Sequence, residues 1–145
     1  MNNIEVIKEL YRAFREQDYD TFLRLSAEDI EWIQNEGFPG GATYKGASAV
    51  IEGVFKANND KWSDFAYHIE EILDAGNSII VIGKYSGRDR GARHEVSPLG
   101  FPEGNRVSGK AMSAAAAHIY DLRDGKIARF RMFADTKSIW NAMTD

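Results

Sequence analysis

Apolar residues recur every three or four positions at the start of the chain, at Ile4, Ile7, Leu10, Tyr11 and Phe14, with Lys8, Glu9, Arg12, Arg15 and Glu16 between them. That spacing predicts a first helix that buries one stripe. A second, short helix is expected from Asp20 as its cap and Phe22, Leu23 and Leu25 as its apolar side, followed by a strand from Ile30 to Gln34. Glycines and a proline between residues 35 and 46 mark irregular backbone. A third helix then opens at Ala47 or Ser48 and buries Val50, Ile51, Val54 and Phe55.

From Trp62 the period changes to two. Phe65, Tyr67, Ile69, Glu71 and Leu73 fall on one face, a Gly76-Asn77 turn follows, and Ile79 to Arg88 returns as the second strand of an antiparallel hairpin. Residues 89 to 106 read as a long loop at the tip of that hairpin. Two more strands, Val107 to Leu122 and Ile127 to Ala134, surround Asp124-Gly125, a pair that favours the positive φ angles of a tight turn. Counting back from Asp135 by twos puts Phe133, Arg131 and Arg129 on its side, and Ala134, Met132, Phe130 and Ala128 on an apolar face. The mixed face is either solvated or lines a polar and apolar cavity. Thr136 to Met143 reads as a short terminal helix that Asp135 can cap.

Helices first and antiparallel strands later is the α+β pattern: a curved antiparallel sheet with the three helices of the N-terminal half packed on its concave side. At 145 residues the chain fits a single domain, 1–145. So few helices leave the outer sheet face uncovered, and a homodimer through that face is the economical solution.

Composition narrows the partners. The net charge is −4 with acids and bases interspersed, and no basic run is present to neutralise phosphates, which argues against nucleic acid. No apolar run approaches the roughly 20 residues that a membrane span needs, and no apolar leader is present, so a cytoplasmic protein is expected. The chain has no cysteine, which agrees with a reducing compartment and removes thiol nucleophiles and thiolate metal sites. Its three histidines, His68, His94 and His118, are scattered rather than set at metal-ligand spacing, so no metal and no cofactor is expected. Chemistry then rests on oxygen and nitrogen groups.

Asp135, at the end of the last strand, has two readings, proton-transfer group or helix cap. His118 lies beside Tyr120 by parity, on the face opposite Ala115 and Ala117. Ala114 to Ala117 is an unusual strand sequence, because alanine packs little area there. Ala115 and Ala117 are candidates for the floor of a cavity, and the competing reading is close approach of a helix or a second subunit. Trp32, Phe38, Tyr44, Phe55, Trp62 and Phe133, with Arg131, are candidates for the surrounding wall, although aromatic residues dominate ordinary cores as well.

Three passages carry a resemblance to a known family: Tyr11-Arg12-Ala13-Phe14 in the opening helix, Glu28 to Trp32 before a loop ending Tyr44-Lys45-Gly46, and Arg123 to Ile127 through Ala134-Asp135. In that order and spacing, over its whole length, the chain resembles the nuclear transport factor 2-like superfamily, and within it the SnoaL-like and ketosteroid-isomerase-like proteins. The resemblance implies a cone-shaped fold, often dimeric, around a pocket for a small hydrophobic molecule. In SnoaL-like polyketide cyclases an aspartate ending the last strand is the acid/base of an aldol closure, a place matched by Asp135, with His118 as its counterpart partner. In ketosteroid isomerases a first-helix tyrosine donates to the oxyanion, a place matched by Tyr11. The isomerase base, expected near Ile33 or Gln34, and its second donor, near Ala117, are missing, and Ala114 to Ala117 replaces the charged partners of epoxide-hydrolase-like relatives. The resemblance therefore implies cofactor-free acid/base chemistry of cyclase or isomerase type on a small carbonyl-bearing molecule, through Asp135 with Tyr11 or His118. The competing class is a non-catalytic binder or a protein-interaction module on the same fold.

Overall fold

The computed structural model of the chain describes residues 1–90 and 108–144. It opens with α1 (Asn3–Glu16), whose first turn is capped by the Asn2 side chain accepting from the Glu5 amide at 2.9 Å. Val6, Ile7, Leu10, Tyr11 and Ala13 form its buried stripe. The next helix, α2 (Tyr19–Leu25), is capped by Asp18 rather than Asp20: the Asp18 carboxylate accepts from the Thr21 amide at 3.1 Å and from its hydroxyl at 2.6 Å. One residue earlier than the helix itself, Asp18 has the non-helical backbone that a cap requires, whereas Asp20 lies inside the first turn.

Six strands follow: β1 (Ser26–Gln34), β2 (Thr43–Lys45), β3 (Trp62–Ala75), β4 (Ser78–Asp89), β5 (Ala111–Arg123) and β6 (Lys126–Ala134). They form one curved, unclosed sheet in the order β2-β1-β6-β5-β4-β3. Every pairing is antiparallel except β1 with β6, which runs parallel because β1 docks on the free edge of the β5–β6 hairpin. Asp124 and Gly125, at φ 54° and 75°, make the expected hairpin turn. The short edge strand β2 lies within the stretch that sequence reads as irregular; three residues are too few to leave a periodic signal.

Between β2 and β3 runs one continuous helical segment: α3 (Ala47–Val50), a π-helical turn at Ile51–Phe55, and α4 (Lys56–Lys61). The predicted stripe of Val50, Ile51, Val54 and Phe55 is buried. A final helix, α5 (Thr136–Met143), closes one end of the domain with Ile139, Trp140, Ala142 and Met143.

Parity along β3 departs from strict alternation. Its register against β4 shifts between Ser63 and Ala66 and again between Ile69 and Glu71. Each bulge moves later side chains to the opposite face. Phe65 and Tyr67 pack toward the core together as expected, and past the second bulge Ile72 does so in place of Leu73; Leu73 and Ile69, the latter at the bulge, are exposed. The loop predicted over 89 to 106 and His94 lie outside the described residues, apart from Asp89, which ends β4, and Arg90. Among the described residues no helix is long and apolar enough to cross a membrane.

Candidate active site

The inner face of β5 carries Met112, Ala114, Ala116, His118, Tyr120 and Leu122, all buried. His118 stands at its centre, 4 % exposed. Above it, α1 brings Tyr11, and the β3–β4 hairpin brings Tyr67 and Tyr85. A cavity remains between these side chains, walled by Leu10, Phe14, Trp32, Val54, Phe55, Phe65 and Phe130 as well, with the carboxamides of Gln34 and Asn58 in its lining. Its atom-free space, counted out to solvent at its mouth, comes to about 420 Å³. A second hollow shares Tyr11, Phe14, Phe65 and Tyr67 with it and reaches Arg15, Gln17, Asn59 and His68, between the end of α1 and β3.

Small residues make this arrangement possible. Gly83 on β4 faces Ala116 on β5 in the strand register, and Tyr67 lies over that pair. A Cβ on Gly83 would fall 2.2 Å from the His68 carbonyl oxygen and 2.9 Å from Cζ of Tyr67, so no larger residue fits without displacing main chain. Seated there, Tyr67 donates its hydroxyl to the Ala116 carbonyl at 2.8 Å and stacks its ring on His118 at 4.1 Å between centroids.

Both nitrogens of His118 are engaged. Nδ1 is 2.6 Å from the Tyr11 hydroxyl and Nε2 is 2.6 Å from the Tyr85 hydroxyl. Tyr120 donates to the Tyr11 oxygen at 2.9 Å, and Tyr85 donates to the Met132 sulfur at 3.2 Å. One tautomer satisfies every donor in this set. With the proton on Nε2, the bonds run in a single direction, Tyr120 to Tyr11 to His118 to Tyr85 to Met132. With the proton on Nδ1, the Tyr11 hydrogen is left without a protein acceptor.

Burial tunes these groups in opposite senses. Desolvation lowers the His118 pKa to about 3, so the imidazole is neutral at ordinary pH. The same desolvation raises the phenols of Tyr11, Tyr67, Tyr85 and Tyr120 above their usual value. The result is a chain of neutral hydrogen-bonding groups in an apolar box. No carboxylate, lysine or arginine side chain is among the described residues lining it. Nor do the described residues hold any group of three His, Cys, Asp or Glu that could bind a metal.

The predicted site residues separate into three sets. Tyr11 and His118 meet directly, and Trp32 and Phe55 line the same cavity. Phe38, Tyr44 and Trp62 do not line it. Phe38 packs behind Tyr85 with ring centroids 6.0 Å apart, Tyr44 lies against Gly53 and donates to the Gly40 carbonyl at 2.7 Å, and Trp62 is buried where β3 begins. Asp135, Ala115, Ala117, Arg131 and Phe133 belong to other surroundings. The Asp135 carboxylate is exposed and caps α5, accepting from the Ser138 amide at 3.1 Å and its hydroxyl at 2.6 Å. Those bonds hold it below the usual carboxylate range. Asp135 is thus corrected from a pocket acid to a helix cap. Ala115, Ala117, Arg131 and Phe133 are corrected to the outer sheet face by strand alternation: their neighbours Ala114, Ala116, Phe130 and Met132 are the buried ones, and Phe133 is 55 % exposed. Arg131 points toward Asp121, 3.8 Å away, and not toward Asp135.

Sequence reasoning missed Gln34, Asn58, Tyr67, Tyr85 and the second-row role of Tyr120. A signal for Gln34 existed: it is two residues beyond Trp32 on the same strand and shares its face. Tyr67 and Tyr85 share the faces of Phe65 and of Ile79 and Val81 by parity, but nothing local to either shows that the Gly83 seat brings Tyr67 over His118.

Comparisons agree with this architecture. A family model for the SnoaL-like domain matches residues 7–130. Among solved structures, an NTF2-like protein from Burkholderia thailandensis superposes with a TM-score of 0.85 at 26% identity, covering 100% of this chain and 99% of that one. A protein described as a SnoaL-like polyketide cyclase, from a Jannaschia species, has a TM-score of 0.79 at 15% identity over 97% of this chain and 90% of its own. TerC, co-crystallised with polyporic acid, has a TM-score of 0.76 at 22% identity over 99% and 98%. At 15% and 22% identity the likeness is one of fold. No curated protein matches the chain.

Proposed function

The chain belongs to the SnoaL-like domain family, and from that premise we propose that its cavity takes up a small, flat, carbonyl-bearing molecule and handles a proton at the carbonyl without a cofactor. The observation that carries this reading is the hydrogen-bonded chain Tyr120–Tyr11–His118–Tyr85 inside an apolar cavity. Its two tautomers hold the same number of protons but present different faces to a ligand. In the Nδ1–H form, His118 and Tyr120 both donate to the Tyr11 oxygen, the Tyr11 hydrogen turns to the ligand carbonyl, and Tyr85 turns its hydrogen from Met132 to Nε2. Two donors on the Tyr11 oxygen strengthen Tyr11 as a donor in turn, in a site where low dielectric magnifies each bond. The bond given up, from Tyr85 to a thioether, is the weakest acceptor contact of the set.

This arrangement suits a substrate that brings its own nucleophile. In an intramolecular closure of cyclase type, an enol carbon of the substrate attacks its own polarised carbonyl carbon. The Tyr11 hydrogen passes to the carbonyl oxygen as that becomes the new hydroxyl, and the enol O–H proton passes to the Tyr11 oxygen as the enol becomes a ketone, so Tyr11 ends with one proton, as it began. No carboxylate base is needed, which fits the lining. Tyr11 would be the proton donor and His118 the group that sets its direction.

The test is α-carbon deuterium exchange of acetophenone in D₂O, followed by NMR, in which Tyr11 polarises the carbonyl and solvent takes the α-proton. Exchange by the wild type, reduced roughly 100-fold or more in Tyr11→Phe with binding retained, is the expected result. A second reading, a binder without turnover, draws on the absence of any charged side chain in the described lining. Binding of the ketone with no exchange above that of Tyr11→Phe decides for the binder.

The outer sheet face supports a homodimer. Leu73, Ile82 and Phe133 are exposed on the outer face, with Ala115 exposed and Ala117 half-buried beside them. Sedimentation of the wild type as a dimer, and of Phe133→Glu as a monomer, checks this; a wild-type monomer refutes it.

A further inference from the structure

The cavity has a second polar pole that the Tyr–His chain does not use. Gln34 is 4 % exposed and Asn58 is 5 % exposed, yet neither carboxamide makes a hydrogen bond to any described protein group. Both line the cavity, Gln34 from the end of β1 and Asn58 from α4. Their amide atoms are not sealed off from the cavity, so a molecule that enters it can supply the partners that the described protein groups do not. Val54, Phe55 and Phe65 in the same wall have apolar side chains, and Trp32, on the face of β1 that Gln34 shares, has a buried indole N–H that is likewise without a partner among the described residues.

The chemistry of the pole limits what fits it. Each carboxamide presents an N–H donor and a carbonyl acceptor. Its complement is a group that both donates and accepts, such as a hydroxyl. A carboxylate lacks the donor, and with no cation in the described lining it would be desolvated without a counter-charge. We infer that Gln34 and Asn58 form a hydroxyl-recognition subsite, so that the ligand is a neutral hydroxylated aryl ketone, its carbonyl at Tyr11 and its hydroxyl at the amide pair. The inference rests on the carbonyl-binding reading above and adds the second anchor. Asn58, four residues past Val54 and three past Phe55, faces the same space as both by ordinary helical spacing.

The test compares acetophenone with its 3′- and 4′-hydroxy derivatives by calorimetric titration of the full chain. At least one hydroxy isomer should bind the wild type about tenfold more tightly than acetophenone. That preference should shrink to less than about twofold in Gln34→Leu/Asn58→Leu, whereas Tyr11→Phe should weaken all three ketones and keep the preference. Because neither amide has a partner among the described residues, the double variant is expected to fold with an unfolding midpoint at or above the wild-type value. A clear loss of stability shows the amides to be structural and overturns the subsite. Equal binding of all three ketones by the wild type, or a hydroxyl preference that survives in the double variant, overturns the subsite alone. Failure of acetophenone and both derivatives to bind overturns the carbonyl reading beneath it.

Discussion

Lowering the pH from 7 to 5 should destabilise this fold, and His118 should be the cause. Its imidazole is kept neutral by burial, with a pKa of about 3, whereas in an unfolded chain a histidine titrates near ~6.5. Between those two values the unfolded state binds one more proton than the folded state. Stability therefore rises with pH across that window and is lost as the pH falls below the unfolded value. At pH 5, roughly 1.5 units below that value, the loss is about 2 kcal/mol, and over the whole window it approaches about 5 kcal/mol. The groups facing His118 leave the window clear. Tyr11, Tyr67, Tyr85 and Tyr120 are phenols raised by burial and stay neutral throughout. Asp18, lowered to about 2 by the Thr21 hydroxyl and Arg12, and Asp29, lowered by Arg123, add their own losses only below roughly pH 4. The assay is urea unfolding followed by tryptophan fluorescence at pH 7, 6 and 5, in the wild type and in His118→Gln, which keeps a donor and an acceptor but does not titrate. The wild-type midpoint should fall by about 1 M urea between pH 7 and pH 5, and that of His118→Gln by much less. An equal fall in both, or a wild-type midpoint that does not move, would falsify the buried neutral imidazole.

Asp135→Ala should cost about 1 kcal/mol through loss of the α5 cap, and Asp135→Asn almost nothing, with deuterium exchange unchanged in both; a loss of exchange in Asp135→Asn at unchanged stability would return Asp135 to the chemistry. Gly83→Ala should destabilise by about 2 kcal/mol or more, because the added methyl meets the His68 carbonyl and the Tyr67 ring. A wild-type urea midpoint for Gly83→Ala would show that the seat beneath Tyr67 has slack.

The elements whose spacing is regular were legible in the chain. The α1 stripe, the helix from Ala47, the Asp124-Gly125 turn and the apolar face of β6 all follow from local periodicity, and the structure keeps them. The inward placement of Tyr11 and His118 was legible, because each stands on the buried face of a well-patterned element. What parity cannot carry is a bulge. The shift after Ile69 in β3 exchanges Leu73 for Ile72, and Tyr67 lies over a glycine that sequence alone reads as a weak point in a strand. Asp135 fails for a different reason. The end of a strand is also the start of a helix, and the helix N–H groups lie closer to its carboxylate than any cavity does. Ala115 and Ala117 show the ambiguity of a four-alanine run: with no change of polarity along it, only His118 and Tyr120 downstream fix which alanines face inward.

The hydroxyl of Tyr11 meets its histidine partner 107 residues farther along the chain, and its tyrosine partner 109 residues away. That separation gives the cavity a place in time as well as in space. Closing so long a loop is entropically unfavourable until β5 and β6 have paired and β1 has docked in parallel on the last strand. A nascent chain that stops before β5 holds α1 and the β3–β4 hairpin but no Tyr11–His118 bond. The cavity is therefore among the last features to form, and any molecule that fills it stabilises the completed chain and none of its partly folded forms.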